Sequence, residues 1–411
     1  MNAILVINAG SSSIKFQLFA IARQNRVERL LKGRMEGIGV KPKLIAKGVE
    51  PAMTVNAAFP AEEVPDVAQA MRRVGVWLRE SVRGEPVAVG HRVVHGGPEF
   101  HLPTAVNDDI LHKLEQLVPL APLHQPNNLA PIRALRMQMP DLLQVACFDT
   151  AFHRGHPDVA DRYAIPGHLH EAGVRRYGFH GLSYEYIAGR LGEIDAGLAG
   201  GRVIVAHLGS GASMCAMVEG RSVDSTMGFT ALDGLPMGTR PGQIDPGVVL
   251  YLLAQSGMKP ADVQRLLYND CGLKGLSGIS NDMRELLSSD RPEAALAVDY
   301  FVYRSALAAG ALAAAMEGVD GLVFTAGIGE NAPEIRARIS ARLGWLGAEL
   351  DPESNERGGP LISRPSSRMA LYVIETDEEL MIARHTLAVL LSAGEIKKEG
   401  LRDERSGRRR I

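Results

Sequence analysis

Cysteine is scarce in this chain: Cys147, Cys215 and Cys271 are three in 411 residues. They are odd in number and no pair has metal-ligand spacing. This excludes a disulfide framework and a cysteine zinc site, and predicts reduced core thiols in a cytoplasmic protein. Net charge is also lacking. A balance of -2 offers no field for nucleic acid or for an acidic surface. Long apolar runs are absent as well. The first, Ala3–Ile7, has five residues with no basic region before it, and reads as a strand rather than a signal peptide. The segment Ser305–Met316 is too short to span a bilayer, so no membrane partner is expected. Basic residues collect only at the end, from Lys397 to Arg410, where a solvated tail is expected.

What the chain does have is length for two cores and an ordinary soluble composition, 46% hydrophobic and 22% charged. Ala3–Ile7 and the alternating Ile14, Phe16 and Leu18 predict two strands around the turn Asn8–Lys15. That turn holds one glycine and three serines. Its backbone N–H groups and hydroxyls suit an oxyanion such as phosphate; Asn8 suits a metal-bound water, and Lys15 adds charge. The same residues also suit a plain hairpin with serine as turn former. A second copy of the pattern follows about 200 residues later: strand Val203–Ala206, turn His207–Ser213, return strand Met214–Val218. The echo predicts a duplicated α/β domain with a cleft between the copies.

Helices are expected over 62–80, 108–118, 127–138, 246–256, 282–289, 293–316, 332–343 and 377–392. Asp245 and Pro246 mark the start of the fourth. Strands are expected over 86–90, Leu143–Phe148 and Gly321–Thr325. After the last comes a third glycine turn, Ala326–Asn331, with Asn331 and Glu334 as a capping box. Thr376 and Glu379 spell another capping box. The His-, Gly- and Pro-rich stretch 153–170 is a plausible boundary. We expect domains over 1–150 and 151–378, a C-terminal helix of about 379–395 packing back on the first, and a basic tail over 396–411.

These motifs resemble the acetate and propionate kinase family of the actin, Hsp70 and sugar-kinase superfamily. The matching segments are Asn8–Lys15, His91–Gly97, Leu123–Pro126, Phe148–His153, Tyr177–Gly181, His207–Ser213, Met227–Thr230, Met237–Arg240, Phe324–Asn331 and Thr376–Leu380, in family order over nearly the whole chain. The resemblance implies two duplicated ribonuclease-H-like, actin-like ATPase domains with a nucleotide cleft between them, usually as a homodimer. It implies the reaction ATP + acetate ⇌ ADP + acetyl phosphate, with Mg²⁺, or Mn²⁺ in its place, and ATP/ADP as co-substrate.

Acetate is ionised at neutral pH, so such a site needs no base to deprotonate it. It needs cations that let two anions meet in line. By resemblance Arg92 holds the acyl carboxylate or the transferring phosphate, Arg240 stabilises the transition state, and His180 and His124 serve the phosphoryl group. Asp149 is the catalytic acid that orients Arg or metal-bound water. Val94, Leu123, Phe179 and Ala231 line the acyl pocket. Lys15, His207, Leu208, Gly209, Ser210, Gly211, Asp282, Met283, Arg284, Gly327, Ile328, Gly329, Glu330 and Asn331 take the nucleotide. Glu378 holds the metal, with Asn8 acting through water. Without the family, Arg92 and Arg240 read as a surface arginine and a loop ion pair, Asp149 as a turn or helix cap, Asp282 as an aspartate complementing a helix dipole, and His180 as structural.

The chain departs from the family pattern at four places. Ser210 stands for an asparagine and Ala231 for a proline of the acyl pocket. Pro241 and Gln243 stand for serine and aspartate beside Arg240. Some relatives use pyrophosphate; the matches at 282–284 and 327–331 favour ATP. Ala231 leaves a slightly roomier pocket, and propionate is expected as a second substrate. A propionate- or butyrate-preferring kinase is one alternative, and a non-catalytic nucleotide clamp is another. The four residues Arg92, Asp149, His180 and Arg240 argue against the clamp.

Overall fold

The computed structural model describes residues 2–10, 12–82 and 84–394. Ser11 of the first turn and the basic tail lie outside the described residues. The chain divides into two compact units. The first holds the residues up to Val94, Leu102–Phe148 and the chain from Glu379 on. The second holds His95–His101 and Asp149–Glu378.

The sheet of the first unit begins with β1 (Ala3–Ala9) and β2 (Ser13–Ala22), antiparallel, with Asn8 opposite Lys15. Gly10 N–H donates to the Ser13 carbonyl at 2.8 Å and closes the turn. Three antiparallel strands follow on one side: β3 (Arg26–Glu36), β4 (Lys43–Gly48) and β5 (Val55–Ala58). On the other side β6 (Ala88–Val93) and β8 (Leu143–Phe148) run parallel to β1, and β7 (Thr104–Ala105) closes the edge. β1 and β2 are central strands. Phe19 and Gln17 are therefore as buried as Phe16 and Leu18, and the simple alternation expected of β2 is lost.

The second unit's sheet has β9 (Arg202–Leu208), β10 (Ala212–Val218), β11 (Arg221–Ser225), β12 (Gly321–Thr325) and β13 (Ala370–Val373), in the order β11-β10-β9-β12-β13. The first sheet contains the same order as β3-β2-β1-β6-β8. In each, an antiparallel three-strand meander is followed by two parallel strands on the far side of its first strand. The duplication expected from the two turns is thus a duplication of topology.

The helices of the first unit are α1 (Val67–Ser81), α2 (Asp108–Gln116) and α3 (Gln125–Gln138). α1 starts five residues later than expected. Pro65 and Asp66 interrupt the pattern, and the Asp66 carboxylate accepts from Gln69 N–H at 2.8 Å as the true N-cap. Val67, Met71 and Val74 face the sheet, in one cluster with Leu5, Ile7 and Leu18.

The helices of the second unit include α4 (Gly181–Ile194), α5 (Pro246–Ala254), α6 (Pro260–Asn269), α7 (Met283–Leu287), α8 (Pro292–Ala315), α9 (Ala326–Asn331) and α10 (Pro333–Arg342). α11 (Glu378–Ser392) passes into the first unit at Glu379. Asp245 caps α5 as expected, accepting from Gly247 N–H at 2.7 Å. α8 runs well beyond Ser305–Met316. Among the described helices it alone is long and apolar enough to cross a membrane, and it buries Val298, Phe301, Val302, Ala309 and Leu312 in the second unit.

Two other expectations fail. Ala326–Asn331 is itself helical, so Asn331 is a last-turn residue whose amide donates to the Gly327 carbonyl at 2.9 Å. α10 starts at Pro333 without a side-chain cap, and there is no Asn331–Glu334 capping box. The Thr376–Glu379 box is also absent: Thr376 N–H donates to Glu330 Oε1 at 3.1 Å, and Glu379 accepts from Asn8 and Gln17.

Candidate active site

In the first unit the site residues gather at the ends of neighbouring strands. Arg92 lies within β6, opposite Cys147, and not in the loop that its glycine-rich surroundings imply. Its Nη1 donates to Asn8 Oδ1 at 3.4 Å. Asn8 Nδ2 donates to Glu379 Oε1 at 3.5 Å, and Gln17 Nε2 to Glu379 Oε2 at 3.3 Å. Glu379, next to the expected Glu378, therefore orients the Asn8 amide with its oxygen toward Arg92. Lys15 is exposed on β2.

Asn128 was not singled out by sequence, yet it fixes the ends of both strands. Its Nδ2 donates to the Ala9 carbonyl at 2.7 Å, and its Oδ1 accepts from Val94 N–H at 3.0 Å. It stands one turn into α3, which starts after His124; Leu123 precedes it, exposed. His91 is fully buried against Gln144 Oε1 at 2.9 Å, and burial lowers its pKa to about 4.

The second unit builds its part around α4. Asp149, buried, follows β8, and its carbonyl accepts from Gly181 N–H at 2.8 Å. A Cβ on Gly181 would lie 2.3 Å from that oxygen, so only glycine lets the helix start there. His180 precedes it with φ of 58°, a left-handed conformation. The ring of His180 stacks on His207 with centroids 4.2 Å apart. Its Nδ1 is 2.8 Å from Ser213 Oγ, which also meets the Tyr184 hydroxyl. His207 Nδ1 is 2.8 Å from Ser183 Oγ, and Ser183 in turn is 2.8 Å from Thr376 Oγ1. Small hydroxyls on α4 and β10 thus hold both imidazoles.

Beneath this pair lies His153 of the Phe148–His153 motif. It is buried, with Nε2 2.9 Å from the Phe179 carbonyl and Nδ1 2.8 Å from Ser222 Oγ. Burial, then the neighbouring His156, hold its pKa well below the usual histidine range. The carbonyl can only accept, so neutral His153 donates from Nε2 and accepts from Ser222 at Nδ1. Gly178 packs against the His153 ring; a Cβ there would approach it to 2.6 Å. The residue pair Phe179–His180 is thereby fixed from below.

Arg240 completes the group. Its Nη1 donates to the Ala231 carbonyl at 2.7 Å. A Cβ on Gly211 would lie 2.9 Å from Arg240 Nη2 and 3.2 Å from His180 Nε2. Both cationic-type donors therefore converge on the glycine turn that echoes Asn8–Lys15. Gln243 accepts from Arg304 at 2.5 Å, away from Arg240.

Beyond the turn opens a cavity of 940 Å³ lined by Gly209, Ser210, Asp282, Met283, Arg284, Gly327, Ile328 and Asn331, with Asn281, Leu287 and Ala332–Glu334. Eight of the expected nucleotide residues meet here. Leu208 is buried in the sheet and Gly329 in the second unit's interior. The Glu330 carboxylate turns back to accept from Ala326 N–H at 2.8 Å. Asp282 caps α7, accepting from Arg284 N–H at 2.9 Å. The Arg284 guanidinium, and then that bond, lower its pKa to about 2.

Comparison with known proteins identifies the family. The chain is 61% identical to the acetate kinase of Nitrobacter hamburgensis over 391 residues, 95% of this chain and 97% of that protein. A crystal structure of Porphyromonas gingivalis acetate kinase superposes with a TM-score of 0.84 at 36% identity, covering 95% of this chain and all of the other. A propionate kinase from Francisella tularensis gives 0.87 at 37%, covering 94% of this chain and all of the other. The model of the acetokinase family matches residues 3–384. The chain belongs to the acetokinase family, a family of kinases.

Proposed function

We propose that this kinase transfers the γ-phosphoryl group of ATP reversibly to the carboxylate of acetate, giving acetyl phosphate and ADP. The observation that carries the reading is the approach of Arg240 and His180 to Gly211, in the same glycine turn as Gly209 and Ser210 of the 940 Å³ cavity wall. Guanidinium and imidazole donors there suit the equatorial oxygens of a phosphoryl group in flight. Acetate arrives ionised, so neither histidine is needed as a base. His180 and Arg240 neutralise the transferring group, and Asp149 orients the groups around it. Arg92 holds the acyl carboxylate or the phosphate, with His124 as a further donor. Val94, Leu123, Phe179 and Ala231 bound the methyl group. The cavity wall from 282–284 and 327–331 takes the nucleoside, with Lys15 and residues 207–211 on the phosphates.

The donor chemistry fits Mg²⁺ brought with the nucleotide. Among the described residues no group of three or more His, Cys, Asp or Glu is arranged to hold a metal. Mg²⁺ suits such a chain because it keeps several waters and binds through one or two carboxylates plus substrate phosphates. Glu378 and, through water, Asn8 would hold it, and Mn²⁺ would serve in its place. Bound there, the ion would supply charge neutralisation for the phosphates.

Propionate is a second substrate on this reading, because Ala231 presents a small side chain and its carbonyl is tied to Arg240. The enzyme acts in the cytoplasm, consistent with its three free thiols. A homodimer is supported by α5, which buries none of its residues in its own chain, and by exposed Leu250, Tyr251, Leu296, Tyr303 and Leu307. A hydroxamate assay with acetate, propionate and butyrate, given ATP or pyrophosphate, tests the whole reading. Acetyl phosphate from acetate and MgATP is expected. No acyl phosphate from any acid would sink the enzyme reading, and a dominant butyrate signal would sink the acetate assignment.

A further inference from the structure

The first unit contains a second cavity, of 260 Å³, far more apolar than the first. Ala3 and Leu5 of β1, Leu18 of β2 and Val89 of β6 form its floor; Met71, Val74 and Leu78 of α1 and Ala134 and Leu135 of α3 form its walls. Part of this space exists because residue 75 is glycine. Gly75 sits in the middle of a 15-residue helix, where glycine is costly. A Cβ there would meet only Arg79 Nη1, at 3.8 Å. Apolar walls give water no partners, and cavities of this kind stay dry and accept apolar molecules.

The rim carries charge. Arg72 and Arg79, seven residues apart on α1, line the opening together with Glu85 and Gln138. Both arginines are exposed, and among the described residues neither makes an ion pair, unlike their neighbour Arg73, which pairs with Glu63. An apolar chamber with two unpaired guanidinium groups at its mouth matches an amphiphile with an anionic head. We propose that this cavity is a binding site for an aliphatic monocarboxylate of about six to ten carbons, tail between α1 and the sheet and carboxylate at Arg72 and Arg79. The site is separate from the acyl pocket, and the proposal does not rest on the reaction assigned above. The walls lead to that machinery all the same: β1 carries Asn8 one residue before its end, and α3 carries Asn128, which holds Ala9 and Val94.

Octanoate is the probe, titrated calorimetrically into the full-length enzyme with saturating acetate and no nucleotide present. One octanoate per chain is expected, undisplaced by acetate. Gly75→Leu fills the chamber and weakens binding by about ten-fold or more, while circular dichroism and turnover of acetate stay as in the wild type. Ala134→Val fills it from α3 and gives the same loss if Gly75→Leu does not fold. The Arg72→Gln/Arg79→Gln double variant weakens octanoate but not 1-octanol. Displacement by acetate would place octanoate in the acyl pocket and overturn the proposal. So would absence of binding at millimolar octanoate, or equal binding in the wild type and a folded cavity-filling variant.

Discussion

The Cα of Gly181 lies against the backbone carbonyl of Asp149, leaving 2.3 Å between that oxygen and any Cβ added at 181. The contact sets how close the start of α4 stands to Asp149, and so where His180 is held relative to Asp149. Gly181→Ala is expected to cost about 1–3 kcal/mol by overpacking and to lower kcat by about ten-fold or more, since misplacement of the site by an ångström is enough. Urea denaturation and the hydroxamate assay on one preparation check it; wild-type values in both refute the assignment.

Arg240→Ala should abolish turnover, with kcat down by about 10³ or more, while the urea midpoint moves little. Its Nη1 bond to the Ala231 carbonyl is side chain to backbone in a half-buried loop, worth about 1 kcal/mol. Arg240→Lys is expected to recover little, because one ammonium cannot reach both the Ala231 carbonyl and a phosphoryl oxygen. Activity near wild type in Arg240→Ala would remove the residue from the mechanism.

Stability should fall as pH drops below that of free histidine. His91 and His95 have pKa values lowered to about 4 and about 3 by burial, and His153 is lowered as well. Between those values and about 6.5 the unfolded chain binds more protons than the folded one. The stabilisation is complete above the unfolded pKa and is lost as pH falls toward the folded pKa. Each imidazole contributes a slope of up to about 1.4 kcal/mol per pH unit across that window. Urea midpoints at pH 7.5, 6.5 and 5.5 read it. His91→Gln, which keeps a donor for Gln144, should flatten the slope by one proton; an unchanged slope would exclude His91 as a source.

Thiol chemistry should distinguish one cysteine from two. Cys271 is half-buried, whereas Cys147 and Cys215 are fully buried, and burial pushes the Cys215 thiol up to about 12. Under native conditions Ellman's reagent is expected to label one thiol per chain rapidly and the other two only after unfolding. Rapid labelling of three would show that β8 and β10 open readily.

Much of this was legible in the sequence because it is local. The strand Leu143–Phe148, the strand Gly321–Thr325 and the Asp245–Pro246 helix start need only neighbouring residues, and each falls where expected. The two Gly/Ser turns announced the duplicated sheet order because a tight turn between apolar strands determines pairing. The failures share another cause. Thr376 and Asn331 have the spelling of helix caps, but Thr376 N–H finds a carboxylate 46 residues away and Asn331 is taken into a preceding helix. Arg92 reads as a loop residue because parallel pairing with β8, which no local pattern reveals, carries β6 further. Asn128, Ser183, Ser213 and His153 escaped notice as working residues, since each matters only through partners distant in sequence.

Gly90 of β6 is another close approach: a Cβ there would lie 2.3 Å from Thr386 Oγ1 and 2.6 Å from Ile382 Cγ2, both on α11. The first unit is therefore finished by the last of the described helices. During synthesis its strands leave the ribosome early, yet the Gly90 face of β6 lacks α11, and Asn8 and Gln17 have no Glu379, until the entire second unit has been made. The second unit is continuous over Asp149–Glu378, with only His95–His101 supplied from earlier in the chain, so it is free to fold as a unit before the first is complete. The nascent first unit must wait with an unfinished face, which makes the time taken to translate residues 149–378 the interval in which this protein most needs a chaperone.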